Sequence, residues 1–160
     1  MVDAKKKNIK LKVLIVDDSP IMSRILTSML TADATIEVAG TAKNGEEAIK
    51  MMKSLSPDLI TLDVNMPVMD GSSTIKHIMI KRPCPVLIMS NPGDGSSKTI
   101  FNFLELGAVD FMCKPTKNQD ILLQQKHIVE RIQMAATANV ANFRITRLPT
   151  PPVPAEGRAG

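Results

Sequence analysis

Val13-Leu14-Ile15-Val16-Asp17-Asp18-Ser19-Pro20 is the stretch on which the reading of the fold turns. Its first four residues are an unbroken, β-branched apolar run, the pattern of a strand covered on both faces. The next four stop that strand and start a helix. Asp18 or Ser19 can cap the helix, and Pro20 suits its first turn. Ile21, Met22, Ile25, Leu26, Met29 and Leu30 then follow at helical spacing.

Outward from there, the rhythm of strand and helix repeats. Ile36 to Ala42 alternates apolar and polar residues, as a half-exposed edge strand does, and Asn44 to Leu55 reads as a helix. Asp58 to Leu62 is a strand running into Asp63, and Ser72 to Lys81 a helix. Pro85 to Met89 is a strand ending at Ser90. Ser97 to Leu106 is a helix closed by Gly107, a common helix stop. Ala108 to Met112 is the fifth strand, and Gln119 to about Ala138 the fifth helix. Five such units in a row predict an α/β fold, a parallel sheet with helices on both faces.

Composition sets the surroundings of this unit. Apolar residues make up 44% of the 160, with four Phe and no Trp or Tyr, so the core is aliphatic and the 11 Met fill gaps in it. The net charge of +4 is concentrated at Lys5, Lys6, Lys7, Lys10 and Lys12. Residues 1–9 read as a solvated basic leader, 10–139 as the folded domain, and 140–160 as a Pro-rich tail or interdomain linker. No aromatic interleaving or base-reading motif accompanies the lysines, so nucleic acid is not an expected partner. Cys84 and Cys113 stand alone, which argues against a metal or disulfide framework. No apolar run approaches the ~18 residues of a membrane span, and no secretory leader is read. A cytoplasmic location without membrane insertion is the expectation.

In open α/β sheets, ligands gather at the carboxyl ends of the strands, where strand order reverses. Asp17 and Asp18 follow the first strand, Asp63 the third, Ser90 the fourth, and Lys114-Pro115 the fifth. Singly, each has a plain reading as a cap, loop or turn residue. Together they put three carboxylates at one sheet edge, where they repel unless a cation or proton sits among them. Mg²⁺ suits such an oxygen set. Asp17 and Asp18 are its expected protein side, with Asp63 sharing the ion through one oxygen and offering the other as a nucleophile toward phosphorus. Lys114 would supply a point charge, and Ser90 a hydroxyl donor, to the phosphoryl oxygens. The glycines of residues 91–95 make no G-x-G-x-x-G or Walker pattern, no G-x-S-x-G elbow is present, and His77 and His127 sit mid-helix.

At these residues the chain resembles the receiver domains of bacterial two-component systems. The marks are V-L-I-V-D-D-S at 13–19, T-L-D-V-N-M-P-V-M-D-G at 61–71, Ser90 after the fourth strand and Lys114-Pro115 after the fifth. The resemblance implies the flavodoxin-like, CheY-like three-layer sandwich: five parallel strands in the order 2-1-3-4-5 with five helices. Residues 61–71 and L-E-L-G-A-V-D-F at 104–111 are most similar to the amino-terminal receiver of CheB-type chemotaxis methylesterases, and the Pro-rich tail is similar to their interdomain linker.

That resemblance implies more. Asp63 is the phosphoacceptor, charged by a histidine kinase, and the Asn65 backbone carbonyl joins Asp17, Asp18 and Asp63 around Mg²⁺. Related methylesterase receivers often carry Glu at the Asn65 position. Phe111 matches an aromatic switch residue that moves with Ser90, and Lys114-Pro115 is expected to be a cis peptide. The fourth helix, fifth strand and fifth helix would form the output surface, meeting an effector domain or a second receiver copy. Ile100, Phe101, Phe103, Leu104 and Leu106 form a stripe wider than one buried face needs, and Ile100, Phe101 and Phe103 are the exposed apolar contacts expected there.

The leading reading is therefore a phosphorylation-controlled binding module that is not itself an enzyme toward outside substrates. An alternative makes it the regulatory fragment of a methylesterase whose esterase domain is absent from these residues. A free-standing phosphatase, or a receiver that signals without phosphorylation, fits less well.

Overall fold

The computed structural model describes residues 9–64, 71–91, 97–117 and 119–138. Residues 1–8 of the basic leader, the tail and Asn65 lie outside them. Within the described residues the strands are β1 (Leu11–Val16), β2 (Ile36–Ala42), β3 (Leu59–Asp63), β4 (Val86–Ser90) and β5 (Asp110–Cys113). The helices are α1 (Pro20–Thr31), α2 (Gly45–Leu55), α3 (Gly71–Lys81), α4 (Ser97–Leu106) and α5 (Ile121–Ala135). The strands make one sheet, ordered β2-β1-β3-β4-β5, with every pairing parallel. This is the α/β three-layer architecture expected from the sequence.

Strand alternation sorts the side chains into two cores. Val13, Ile15, Leu59, Leu87 and Met89 face one way and are covered by Leu26, Met29 and Leu30 of α1 with Ile128, Val129 and Ile132 of α5. Leu14, Val16, Ile60, Leu62, Val86 and Ile88 face the other way and meet Ala48 and Met52 of α2, Ile75 and Ile78 of α3, and Phe103 of α4. Each fully buried Leu or Ile contributes about 1.5–3 kcal/mol through burial, so these two layers drive the fold. The central strands read as continuous apolar runs because both faces are covered. β2, at the edge, keeps a mixed pattern of burial.

Local chemistry fixes the ends. Ser19 caps α1, its hydroxyl accepting from Met22 N at 3.2 Å, with Pro20 as the first helical residue. Asn44 caps α2 and Asp120 caps α5, each accepting backbone N–H groups. α4 stops at Gly107, whose φ of +127° is open to glycine at little strain, and Gly107 N donates to Leu104 O at 3.1 Å. α5 is shorter than the expected Gln119–Ala138, because the Asp120 side chain takes the Leu122 and Leu123 N–H groups and fixes the start there.

One backbone expectation is overturned. Lys114-Pro115 is trans, since no cis peptide bond occurs among the described residues. The trans form is intrinsically favoured by about 0.5–1 kcal/mol at X–Pro bonds. The neighbouring contacts, Lys114 N to Ser90 O and Gln124 to Thr116, are made with it.

Candidate functional site at the carboxyl edge of the sheet

Strand order reverses between β1 and β3, and the acidic residues stand at that point. Asp17 continues directly from β1, its N–H donating to Ala42 O at 3.0 Å, and Asp63 is the last residue of β3. Because residues 13, 15 and 17 share one side of their strand, as 59, 61 and 63 do of theirs, both carboxylates project on the α1/α5 side. Asp17 Oδ1 accepts from Ser19 N at 2.9 Å, which orients the carboxylate where the chain turns into α1.

Lys114 closes the group. Its Nζ lies 2.8 Å from Asp17 Oδ2 and 3.0 Å from Asp63 Oδ1, and all three residues are buried. Burial by itself would lower the ammonium's pKa. The bonds to Asp17 and Asp63 outweigh it and hold Lys114 above the ordinary lysine value of 10.5. Asp18 is exposed at the rim, and one carboxylate oxygen from each of Asp17, Asp18 and Asp63 falls within 4.8 Å of the others.

Three carboxylates against one ammonium leave a charge of about −2 at pH 7. That donor set fits a divalent, oxygen-seeking cation such as Mg²⁺, with Asp17, Asp18 and Asp63 as its holders. A cleft of about 450 Å³ opens beside Asp17 and Asp18, lined also by Arg24, Thr41, Lys43 and Glu47 among others.

The remaining residues singled out by the sequence lie on β4, on β5 and on the helices. Ser90 is buried at the end of β4, one position beyond Met89, the strand partner of Asp63, and its carbonyl accepts from Lys114 N at 2.8 Å. Phe111 sits on β5 with 37% of its surface exposed, and its carbonyl accepts from Arg131 Nη2 of α5 at 2.9 Å. On α4, Phe101 is 60% exposed and Ile100 half-buried, but Phe103 is only 5% exposed. Phe103 is therefore a core residue and not a surface contact. Its ring fills the space above Gly71, where an added Cβ would come within 3.0 Å of Phe103 Cε1. His77 and His127 are exposed on their helices.

Three buried polar residues, Thr61, Thr74 and Gln124, are not singled out by the sequence. Gln124 is buried on α5, in phase with Ile128 and Ile132, and a polar side chain on that apolar stripe was the available signal. Thr61 is 2% exposed on β3, and its hydroxyl has no hydrogen-bond partner among the described residues. A Thr in a strand carries no such signal, because Thr is an ordinary strand residue.

The model of the "Response regulator receiver domain" family matches residues 13–126. The chain belongs to that family. This receiver is 41% identical over 152 residues to a protein-glutamate methylesterase/protein-glutamine glutaminase of Halalkalibacterium halodurans, covering 89% of the chain and 44% of that protein. It is 42% identical over 127 residues to the protein of that name in Bacillus subtilis, covering 78% and 36%. The chain thus spans less than half the length of these curated relatives. Among solved structures, the response regulator domain of Thermotoga maritima CheB is 33% identical with a TM-score of 0.72, covering 81% of this chain and 98% of that one. A CheX-CheY-BeF3-Mg²⁺ complex of Borrelia burgdorferi matches at 32% identity and a TM-score of 0.65, covering 79% and 93%. The sequence-based assignment to CheB-like receivers agrees with these findings.

Proposed function

We propose that this receiver is a phosphorylation switch in which Asp63 takes a phosphoryl group from the phosphohistidine of a histidine kinase. The observation that carries this reading is the buried Lys114 ammonium between Asp17 and Asp63, with Asp18 at the rim. An Asp63 oxygen attacks phosphorus, the donor's P–N bond breaks, and the imidazole keeps that electron pair. The product is an acyl phosphate on Asp63. Bound by Asp17, Asp18, Asp63 and the Asn65 backbone carbonyl, Mg²⁺ would supply positive charge against the phosphoryl oxygens and offset the repulsion of the carboxylates.

The chain's own groups do the rest. Lys114 turns its ammonium from a carboxylate toward a phosphoryl oxygen, keeping one charge-assisted bond throughout. Ser90 donates its hydroxyl to a second oxygen. Phe111, half out of the surface in this structure, turns inward as Ser90 shifts, changing the face formed by α4, β5 and α5. Exposed Phe101 and half-buried Ile100 belong to that face, where an effector domain or a second receiver copy would dock. The chain catalyses its own phosphorylation and dephosphorylation and acts on no outside substrate.

A second reading concerns the setting. The relatives are named methylesterases and are more than twice as long as the matched region, which favours this receiver as the regulatory part of a chemotaxis methylesterase. Residues 1–9 would then be a leader and 140–160 the start of an interdomain linker. A place in the cytoplasm beside the kinase belongs to the same proposal; no described helix is long and apolar enough to cross a membrane.

Intact-mass spectrometry after incubation with Mg²⁺ and acetyl phosphate tests the switch. One phosphoryl group should appear on the parent and none on Asp63→Asn. A parent that stays unmodified with both acetyl phosphate and a phosphorylated kinase would refute the acceptor role.

A further inference from the structure

The loop that follows Lys114 has no strand to hold it. Pro115 offers no N–H, and on its outer side the loop borders an apolar groove of about 370 Å³, lined by Ile21, Ile25, Met29, Pro115, Thr116 and Gln124 among others. Among the described residues, the side-chain amide of Gln124 grips it. Gln124 Oε1 accepts from Thr116 N at 2.7 Å, while Gln124 Nε2 donates to Thr116 O at 2.8 Å and to Gln119 O at 3.3 Å. The amide thus pairs with both backbone groups of the residue two places after Lys114, much as a neighbouring strand would. Gln124 is itself immobilised, being buried on α5 in phase with Ile128 and Ile132. Among the described residues, seven polar or charged side chains are buried, and four of them are Asp17, Asp63, Ser90 and Lys114. Gln124 is the one that reaches the same loop from outside the cluster.

From this we infer that Gln124 is a positioning residue for phosphoryl transfer, anchoring the backbone beyond Lys114 so that the ammonium stays aimed between Asp17 and Asp63. The inference rests on the phosphoacceptor role proposed for Asp63. Lys114 is held on its amino side by the bond from Lys114 N to Ser90 O at 2.8 Å, and the Gln124 clamp fixes the other side. Without it, the backbone between Lys114 and the Asp120 cap of α5 loses the three hydrogen bonds that Gln124 makes to Thr116 and Gln119. A misplacement of about 1 Å can slow a reaction about 100-fold, so a slack loop slows transfer even though Lys114 itself is intact.

The test uses Gln124→Met, which keeps volume and removes both bond types, and Gln124→Glu, which keeps the acceptor for Thr116 N but loses the donors. Hydrogen exchange at the Thr116 amide reads the clamp without any phosphorylation. It should quicken about tenfold or more in Gln124→Met and stay near the parent rate in Gln124→Glu. Phosphorylation by acetyl phosphate with saturating Mg²⁺ should slow about tenfold in Gln124→Met and less in Gln124→Glu. Adding Gln124→Met to Lys114→Met should slow the reaction no further, because its effect passes through Lys114. Unchanged Thr116 exchange or unchanged phosphorylation in Gln124→Met overturns the inference. So does an equal slowing in the Lys114→Met background, which would make the clamp a general support of the fold. If the parent takes no phosphoryl group while Thr116 stays protected, the Asp63 reading fails and this role with it.

Discussion

Lys114 Nζ sits 2.8 Å from Asp17 Oδ2 and 3.0 Å from Asp63 Oδ1, so one buried ammonium ties the ends of β1 and β3 together. Removing one member of a buried ion pair leaves the others uncompensated, at a cost of about 3–5 kcal/mol. Lys114→Met should therefore unfold at clearly lower urea than the parent in the presence of a chelator. Mg²⁺ held by the same carboxylates would replace the lost charge and recover much of that stability, with a smaller gain in the parent. Urea denaturation with and without Mg²⁺ checks both. Equal Mg²⁺ effects on the two proteins would speak against a cation site in this cluster.

The same contacts set an alkaline limit. Lys114 titrates above the ordinary lysine value of 10.5 in the folded chain, because its bonds to Asp17 and Asp63 outweigh the effect of burial. A group raised on folding contributes stability that is whole below its unfolded value and disappears as pH climbs through its folded value. The urea midpoint should thus fall from about pH 10 upward. Lys114→Met should lack that part of the decline. An identical slope in both proteins would assign the alkaline loss to other groups.

How far the sequence reaches is seen at particular residues. Asp17, Asp63 and Lys114 could be gathered from strand counting alone, because each follows an apolar run and parallel strands bring their carboxyl ends to one edge. The order 2-1-3-4-5 required the family resemblance, since periodicity tells a strand from a helix but not which strands are neighbours. The apolar stripe of α4 was legible as a stripe, yet its division was not. Phe101 and Phe103, two residues apart on a helix, point to opposite sides, and it is Phe103 that packs against Gly71, far away in sequence. Gln124 could have been noticed as a polar residue on an apolar helix face, but its partner Thr116 lies in a loop whose path no pattern encodes.

That division of α4 makes a direct prediction. Phe103→Ala empties a core site and should destabilise by about 3–5 kcal/mol, while Phe101→Ala should change stability by less than about 0.5 kcal/mol. Chemical denaturation distinguishes them. If the α4 surface serves output, Phe101→Ala should weaken binding of the effector while leaving phosphorylation of Asp63 unaltered. A destabilised Phe101→Ala would mean that this ring is covered in solution.

The two thiols should behave as differently as their surroundings. Cys84 is buried against Pro57, its Sγ 3.5 Å from the Pro57 carbonyl, and burial pushes its thiol up to about 12. Cys113 is exposed at the end of β5. Since only the thiolate attacks a disulfide reagent, labelling the native protein near pH 8 should modify one cysteine quickly, and the second only after denaturant is added. Cys113→Ser should abolish the fast phase. Two fast thiols would show that the Cys84 pocket opens readily.

Thr61 lies between Ile15 and Leu87 in the registers of the central strands. Its hydroxyl is buried without a hydrogen-bond partner among the described residues. An unsatisfied buried polar group costs about 1–3 kcal/mol relative to hydration, and Val has nearly the same shape without the hydroxyl. Thr61→Val should therefore raise stability by about 1 kcal/mol, or about 4 °C in Tm. The gain follows from geometry because neither the strand backbone nor the layer of Ile15, Leu59 and Leu87 needs to move. If the variant is instead less stable, the Thr61 hydroxyl has a partner in solution, and the face beneath Asp63 is more polar than its neighbours indicate. Measuring phosphorylation on the same variant separates the two uses of the position. A stabilised protein that still accepts the phosphoryl group at the parent rate makes Thr61 a packing residue. A stabilised protein that accepts it slowly makes the hydroxyl part of the acceptor's surroundings, retained at the expense of the fold.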